Sequence, residues 1–234
     1  MSENKTAGQL YVVATPIGNP GDITLRAIQT LNAVDAVLCE ERKIGSKLLK
    51  QLNISKPLIE LNEHNEDSLI QEVLVELMNG KNLALISDCG TPVFSDPGRQ
   101  LIVLLNEMNI QVVPIPGTSS LMTALSVCPF NLEQYLFIGF LPPKSEQRQQ
   151  RLEKLSRSEY PIILMDTPYR LSKLLQEVVL VFGKKQSIFL ACDLTLPDER
   201  LIQGTAEEVL TRVNNRKAEF ILIIDKPQRK RFSS

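Results

Sequence analysis

Short apolar runs alternate along this chain with longer segments in which apolar positions recur at helical spacing. The clearest run, residues 83–86, ends at a polar loop rich in glycine and proline, and residues 99–107 then follow a helical pattern. A short apolar run between turn formers is typical of a buried strand, whereas recurrence at i, i+3 and i+4 is typical of an amphipathic helix. This repeated order of strand, loop and helix predicts an α/β fold.

The first half of the chain keeps this order. Residues 9–15 form a β-rich run that enters a loop dense in turn formers, residues 16–22, and a helical pattern follows to about residue 32. Strands that alternate with helices favour a parallel sheet, so we expect the N-terminal sheet to be mostly parallel. Further strands are predicted at residues 34–40, 58–61 and 112–115.

The second half alternates differently. Residues 187–192 and 201–203 are strand-like and are separated by a loop too short for a parallel crossover, so they predict a hairpin and a mixed sheet. The break at Pro116-Gly117 is the expected junction of two domains, residues 1–115 and 116–234. Other strands of this half are predicted at residues 135–140, 161–165 and 220–224.

Several helix ends carry capping signals. Asn79-Gly80 is a C-terminal stop for the helix predicted at residues 67–78, and Thr205 with Glu208 fits a capping box. Asp96 followed by Pro97 predicts the start of the helix at residues 99–107, because the carboxylate can accept from free N–H groups and proline tolerates the first turn.

The loop at residues 88–94 is the first candidate site. In an open α/β sheet the ligand crevice lies at the carboxyl ends of the strands, where glycine lets a ligand approach the main chain. The alternative is that this loop merely connects a strand to a helix. The loop at residues 16–22 lacks both the Gly-x-Gly-x-x-Gly fingerprint and the P-loop pattern, which argues against dinucleotides and nucleoside triphosphates.

Composition narrows the class of protein. The chain has 234 residues, 43% of them hydrophobic, and a net charge of −1, so it lacks a global basic footprint for nucleic acid. It has neither an apolar run of membrane-spanning length nor a signal-peptide core, and we expect a cytoplasmic protein. The cysteines are scattered without metal-ligand spacing, which favours reduced packing residues and no metal site: Cys39, Cys89, Cys128 and Cys192.

Local charge is more informative than net charge. A basic helical segment at residues 144–157 includes Arg148 and Arg151, and a basic run at residues 226–231 is close to the end of the sequence. Each is either a solvated face or a contact for RNA phosphates. His64, the single histidine of the chain, is either a general base or a structural loop residue.

Several motifs in colinear order together resemble the ribosomal RNA small-subunit methyltransferase I family of the tetrapyrrole methylase superfamily. The matching motifs are Tyr11-Val-Val-Ala-Thr-Pro-Ile-Gly-Asn-Pro-Gly-Asp-Ile-Thr24, His64-Asn-Glu66, Ser87-Asp-Cys-Gly-Thr-Pro92, Ser95-Asp-Pro-Gly98, Pro116-Gly-Thr-Ser-Ser120, Gly139-Phe-Leu-Pro142 and Glu219-Phe220. The resemblance implies two α/β domains with S-adenosylmethionine in the cleft between them, and a homodimer. The activity it implies is 2′-O-methylation of a cytidine ribose in 16S rRNA of the small ribosomal subunit.

The resemblance also assigns residues. Those placed around the cofactor are Pro16, Ser87, Asp88, Cys89, Gly90, Thr91, Val93, Ser119, Ser120, Met165, Leu194 and Ala218. Those placed nearer the substrate are Thr15, Gly18, Asn19 and Arg42. For the base that accepts the hydroxyl proton we rank Glu66 and Glu40 above His64, because both carboxylates come just past predicted strand ends; positioning without a dedicated base is the alternative.

The chain departs from the family pattern where cations are expected. It reads Cys192-Asp-Leu-Thr-Leu196 in place of Arg-Glu-Leu-Thr-Lys, and an RNA backbone would lose attraction there. We therefore expect Arg42 and the basic segments to supply attraction instead, and Cys192→Arg with Leu196→Lys to increase it. Two other functions remain open: methylation of another substrate such as a tetrapyrrole carbon, and cofactor or RNA binding without catalysis.

Overall fold

The computed structural model describes residues 6–62, 64–94 and 96–226. Ser95 of the loop motif, and the part of the basic C-terminal run beyond Lys226, lie outside these residues. The chain divides into two compact units, Met1–Ser119 and Ser120–Ser234, called unit 1 and unit 2 below. The boundary at residues 115/116 stays a prediction.

Unit 1 contains a five-stranded sheet in which every pair is parallel, as the alternation of strands and helices predicts. The strand order is β3-β2-β4-β1-β5, so β1 lies between β4 and β5. The strands are β1 Leu10–Val13, β2 Ala36–Cys39, β3 Leu58–Glu60, β4 Leu83–Ile86 and β5 Val112–Ile115. The helices are α1 Leu25–Ala33, α2 Arg42–Gln51, α3 Glu66–Met78 and α4 Arg99–Glu107.

The continuous apolar run of β4 follows from its position inside this sheet. Leu83 and Leu85 belong to a core that includes residues of α3 and α4, whereas Ala84 and Ile86 belong to a second core with residues of α1 and α2. A parallel strand covered by helices on both faces needs apolar side chains at every position. All four residues of β4 are buried.

The N-cap of α4 differs from the prediction, although the helix begins at Arg99 as expected. Its N-cap is Gly98, with φ at 112°, and not Asp96. The free N–H groups of Gly98 and Gln100 donate instead to Oε1 of Glu66, at 3.0 and 3.2 Å. A carboxylate from the first turn of α3 thus caps α4, which short-range capping rules cannot find because the partners lie more than thirty residues apart.

Unit 2 contains a mixed five-stranded sheet of order β6-β7-β10-β8-β9. β6 and β7 are parallel, and the other neighbours are antiparallel, including the predicted β8–β9 hairpin. The strands are β6 Leu136–Phe140, β7 Ile162–Asp166, β8 Ser187–Cys192, β9 Arg200–Thr205 and β10 Phe220–Ile224. The helices are α5 Ser120–Ser126, α6 Ser145–Leu155, α7 Leu171–Phe182 and α8 Ala206–Val213, with a 3-10 turn at Pro168–Arg170 before α7.

Two predicted caps are confirmed. Thr205 accepts from the Glu208 N–H while the Glu208 side chain accepts from the Thr205 N–H, which completes the capping box of α8. Gly80, with φ at 87°, follows the Asn79 cap of α3. Across the described residues, no helix has the length and apolar character required to cross a membrane.

Candidate functional site

Loops follow three neighbouring strands of unit 1 at one edge of the sheet. Because β4, β1 and β5 are adjacent and parallel, their carboxyl ends meet at this edge, and the loops at residues 15–19, 87–94 and 116–119 leave from it. This is where open α/β sheets bind ligands. The structure therefore brings together most unit 1 residues that the sequence assigned to cofactor and substrate.

Main-chain and hydroxyl hydrogen bonds tie these loops to one another. Thr15 and Gly90 exchange backbone bonds, with N···O distances of 2.8 Å from the Thr15 N–H and 3.2 Å from the Gly90 N–H. The Thr91 hydroxyl donates to the Thr118 carbonyl at 3.0 Å, and the Thr118 hydroxyl donates to the Thr15 carbonyl. None of these hydrogen bonds involves a charged group, and their short donor–acceptor distances hold the three loop backbones close to one another.

Thr15 braces the loops with its side chain. It is 2% exposed, and its hydroxyl lies 3.2 Å from the Ser87 carbonyl and 3.4 Å from the Gly90 carbonyl. A substrate has almost no access to this side chain. The Thr15 hydroxyl thus holds residues 87–90, and the place of Thr15 near the substrate stays a prediction.

Besides Gly98, two described residues of the loop after β4 have positive φ. Gly90 has φ at 83°, and a Cβ added there would lie 3.2 Å from Cγ2 of Ile17. Val93 has φ at 72°, which is uncommon for a β-branched residue and is tolerated only when the surroundings fix it. Val93 is half-buried and packs against the α3 and α4 core. The Val93 side chain thus fixes the loop against this core.

Two carboxylates at this edge have raised pKa values. Burial raises the pKa of Asp88, against the effect of a hydrogen bond from the Glu41 N–H to Asp88 Oδ1. Burial also raises the pKa of Asp96, against a hydrogen bond with Ser87. Both groups are half-buried, so they stay ionised less readily than carboxylates in water.

A cavity of about 220 Å³ opens beside the first loop. The cavity is lined by residues 15–18, by residues 86–89 and by one side of α2, where Lys47 and Gln51 supply polar groups. Pro16 and Gly18, which the sequence assigned to cofactor and substrate, are both half-buried wall residues.

The candidate bases lie in different surroundings. Glu66 has one oxygen committed to the start of α4. His64 is exposed, and its backbone N–H donates to Asn62 Oδ1 at 3.0 Å. Glu40 is half-buried directly after β2.

Two substrate candidates have structural bonds of their own. Asn19 Oδ1 accepts from the Gly21 N–H at 2.9 Å and so caps a 3-10 turn. Arg42 is exposed, and its Nη2 donates to the Leu58 carbonyl at 2.9 Å. Both side chains remain at the surface, where they are accessible to a substrate.

The unit 2 candidates differ in accessibility. Met165 is half-buried near the end of β7, whereas Leu194 and Ala218 are 8% and 3% exposed. Leu194 lies between Asp193 and Thr195, which both have positive φ. Ser119 and Ser120, at the unit boundary, are half-buried.

The structure corrects two expectations about positive charge. Arg148 is 1% exposed and paired with Glu177, so it cannot contact a phosphate. Arg151, on the same helix, is exposed and can. Cys192 is fully buried in the unit 2 core, and burial raises its pKa to about 12. An arginine at position 192 would therefore have to displace core packing, so that position is not a surface site for RNA.

Comparison with known proteins agrees with this architecture. Residues 9–210 match the family model of the tetrapyrrole (corrin/porphyrin) methylases. A cobalt precorrin-4 methyltransferase, a cobalamin biosynthetic enzyme, superposes with a TM-score of 0.68 at 17% identity, over 93% of this chain and 94% of that chain. The fold and the model match thus define the class of protein, a tetrapyrrole methylase.

Curated relatives narrow the class further. A ribosomal RNA small subunit methyltransferase I of Synechocystis is 41% identical over 93% of this chain and 78% of its own length. The protein of that name from Escherichia coli O157:H7 is 37% identical over 96% of this chain and 80% of its own length. The chain belongs to the ribosomal RNA small subunit methyltransferase I family, as its motifs indicate.

Proposed function

We propose that this protein is an S-adenosylmethionine-dependent methyltransferase that modifies the 2′ hydroxyl of a cytidine in 16S rRNA. The observation that carries the proposal is the set of bonded loops at the carboxyl edge of the unit 1 sheet, in a chain of this family. Such an edge suits a small cofactor that needs main-chain contacts at fixed positions.

The unit 1 residues fit the cofactor chemically. Gly90 is buried and lets the loop backbone pack closely against Ile17, and Pro16 offers an apolar surface at the adjoining cavity. Thr91, Cys89 and Asp88 supply polar atoms at or near the surface of the same loop. We infer that this loop holds the cofactor, and that Ser119 and Ser120, together with Met165, Leu194 and Ala218 of unit 2, also contribute to its binding.

When bound, the cofactor supplies a methyl group that is already activated by its sulfonium. The protein then has to align the ribose oxygen, exclude water and accept the hydroxyl proton. We propose Glu40 for the last role, because it is half-buried directly after β2, where the strand ends at the carboxyl edge of the sheet. Glu40→Gln should lower kcat by about 10²-fold or more and leave cofactor affinity unchanged.

The RNA contacts should come from exposed cations. Arg42 and Arg151 are exposed, whereas Arg148 is not. Each phosphate contact adds close to one unit to the slope of log affinity against log salt. Arg151→Gln should therefore lower the slope for small subunits by about one if Arg151 touches a phosphate. Glu146→Gln, also on the exposed surface of α6, is the matched control and should not lower the slope.

Two measurements test the proposal as a whole. Calorimetry should detect S-adenosylmethionine binding by the purified protein without added metal. Mapping of ribose methylation in small-subunit rRNA, from cells with and without the gene, should reveal one cytidine that loses its methyl group. Binding of the cofactor with no change in the RNA map would point to another substrate, and no binding near millimolar cofactor, about −4 kcal/mol, would refute the methyltransferase function.

A further inference from the structure

A buried ion pair links α6 to α7 in unit 2. Arg148 Nε lies 2.5 Å from Glu177 Oε2, and Arg148 Nη2 lies 2.7 Å from Glu177 Oε1. The two side chains are 1% and 6% exposed. Replacing a buried pair with apolar residues of similar volume is often neutral or stabilising, so stability alone is a weak reason for its presence.

The remaining contacts of Arg148 suggest what the pair does. Nη1 donates to the carbonyls of Pro142 and Pro143, at 3.1 and 2.9 Å. Proline has no N–H, so this stretch of loop has fewer main-chain donors with which to bond itself. An arginine can hold two carbonyls and a carboxylate at once because its donors point in a fixed fork.

Glu177 is itself held in place by a further hydrogen bond. Its Oε1 also accepts from the Ser145 hydroxyl at 2.6 Å, at the first residue of α6. Burial pushes the pKa of Glu177 upward, but the hydrogen bonds from Arg148 and Ser145 outweigh burial and leave that pKa lowered. The carboxylate thus remains ionised beside Arg148 and fixes its guanidinium.

The loop held by Arg148 begins where β6 ends. Phe140, the last residue of β6, is paired in register with Met165 of β7, and the ladder is irregular between Phe137 and Gly139. Such an irregularity weakens the ladder as a means of fixing the strand end. Met165 is half-buried and Phe140 is 49% exposed, so both present surface at this edge.

We propose that Arg148 and Glu177 form a clamp that positions the loop at residues 141–144, and with it Phe140 beside Met165, so that cofactor affinity depends on the clamp. The inference rests on the proposed function, since Met165 is one of the residues inferred to bind cofactor. Arg148 acts here as a positioning residue and touches no reacting atom.

Two variants separate positioning from stability. Arg148→Met with Glu177→Leu removes the grip on the carbonyls but leaves an apolar, filled core, so Tm should stay near wild type while the cofactor Kd rises at least about tenfold. Glu177→Gln keeps the grip but leaves the guanidinium poorly compensated, so Tm should fall while Kd stays within about twofold. A merely structural pair would make Kd follow Tm in both variants.

Steady-state kinetics should show an effect on the cofactor and none on the RNA substrate. In the double variant the KM for cofactor should rise, while the KM for small subunits stays unchanged. A folded double variant with wild-type cofactor Kd would overturn the proposal. If the double variant does not fold, Arg148→Lys replaces it, because one ammonium cannot reproduce the fork. Equal cofactor Kd values for Arg148→Lys and Glu177→Gln would then overturn the proposal.

A local measurement keeps the clamp independent of the proposed function. Lys144 is exposed at the start of α6, so trypsin cleavage after Lys144 reports on opening of the loop. Mass-spectrometric mapping should show faster cleavage there in the double variant and an unchanged rate after exposed Lys184. An unchanged rate at Lys144 would refute the clamp itself, whereas failure of wild-type protein to bind cofactor would refute only the proposed function.

Discussion

Each unit has to fix the loops that follow its parallel strands, and the two units do so by different means. In unit 1, Thr15, Gly90 and Thr118 are joined by main-chain and hydroxyl hydrogen bonds that carry no net charge. In unit 2, the loop after β6 is held by a buried guanidinium that needs its own carboxylate. The first arrangement depends on close backbone approach, and the second depends on charge compensation.

This difference predicts opposite sensitivities. A neutral network of short bonds loses little when one hydroxyl is removed, but it has no room for an added side chain. A buried ion pair tolerates the loss of both partners better than the loss of one, because a single buried charge has no compensation. The loops of unit 1 should therefore respond to volume, and those of unit 2 to charge.

The largest expected effect is on unit 2. Glu177→Ala leaves the Arg148 guanidinium buried without its carboxylate, and should lower the free energy of unfolding by about 3–5 kcal/mol, measured by urea denaturation. Glu207→Ala removes a carboxylate from the exposed Lys184–Glu207 pair and is the matched control, with little measurable change expected. Similar losses in both variants would contradict the role of burial.

A volume change should affect unit 1 next. Gly90→Val places a β-branched side chain at a positive φ and against Ile17, and should weaken cofactor binding by about 100-fold, or about 2.7 kcal/mol. Gly183→Val is the control, because Gly183 also has a positive φ, of 95°, but a Cβ there meets nothing within 4 Å. Calorimetry should find unchanged cofactor affinity in the control.

Removing one hydroxyl from unit 1 should have a smaller effect. Thr15→Val keeps the shape of the side chain and deletes its bonds to the Ser87 and Gly90 carbonyls. Because the Gly90 carbonyl still accepts from the Thr15 N–H, we expect a loss of about 1 kcal/mol in unfolding free energy. A loss as large as that of Glu177→Ala would show that the two units are not held differently.

The smallest expected effect is a gradual change of the unfolding free energy with pH. Glu177 has a lowered pKa in the folded state, so its ionised form contributes stability above the unfolded value of 4.5, and this contribution is lost as the pH falls through the folded pKa. The difference in unfolding free energy between wild type and Glu177→Gln should therefore shrink on acidification below that value.

Asp88 should show the opposite sign. Its pKa is raised by burial, so the ionised form disfavours folding and protonation on acidification relieves that effect. The unfolding free energy of wild type relative to Asp88→Asn should therefore rise as the pH falls through the raised folded pKa. Parallel pH dependence of the Glu177 and Asp88 differences would contradict the contrast between the units.

Much of the fold could be read from local pattern. The bounds of β4, β8, β10 and α4 match the predicted ranges, because each is a run of apolar or periodic residues between clear turn formers. The hairpin of β8 and β9 followed from loop length alone. The exception at Gly98 arose because the capping oxygen comes from Glu66 on another helix.

The sequence predicted which residues lie together at the candidate site, but not how exposed or how paired each side chain is. Sequence order placed Thr15, Gly90 and Thr118 at strand ends, and the sheet order then brought them together. Arg148 and Arg151 have the same chemistry three positions apart on one helix, yet only Arg151 is exposed. Helical periodicity does distinguish them, because Arg148 shares the buried face of α6 with Leu152 and Leu155 at i, i+4 and i+7 spacing. The pairing of Arg148 with Glu177 of the next helix has no such local signal.

Periodicity, turn formers and motifs in colinear order were enough to predict the strand and helix order, the parallel and mixed sheets, and the family. The partner of each buried charge could be found only in the folded chain. Burial and pairing depend on partners distant in sequence, such as Glu66 with Gly98 and Arg148 with Glu177, and the free energy of a charged side chain changes far more with these surroundings than with its immediate neighbours in the chain.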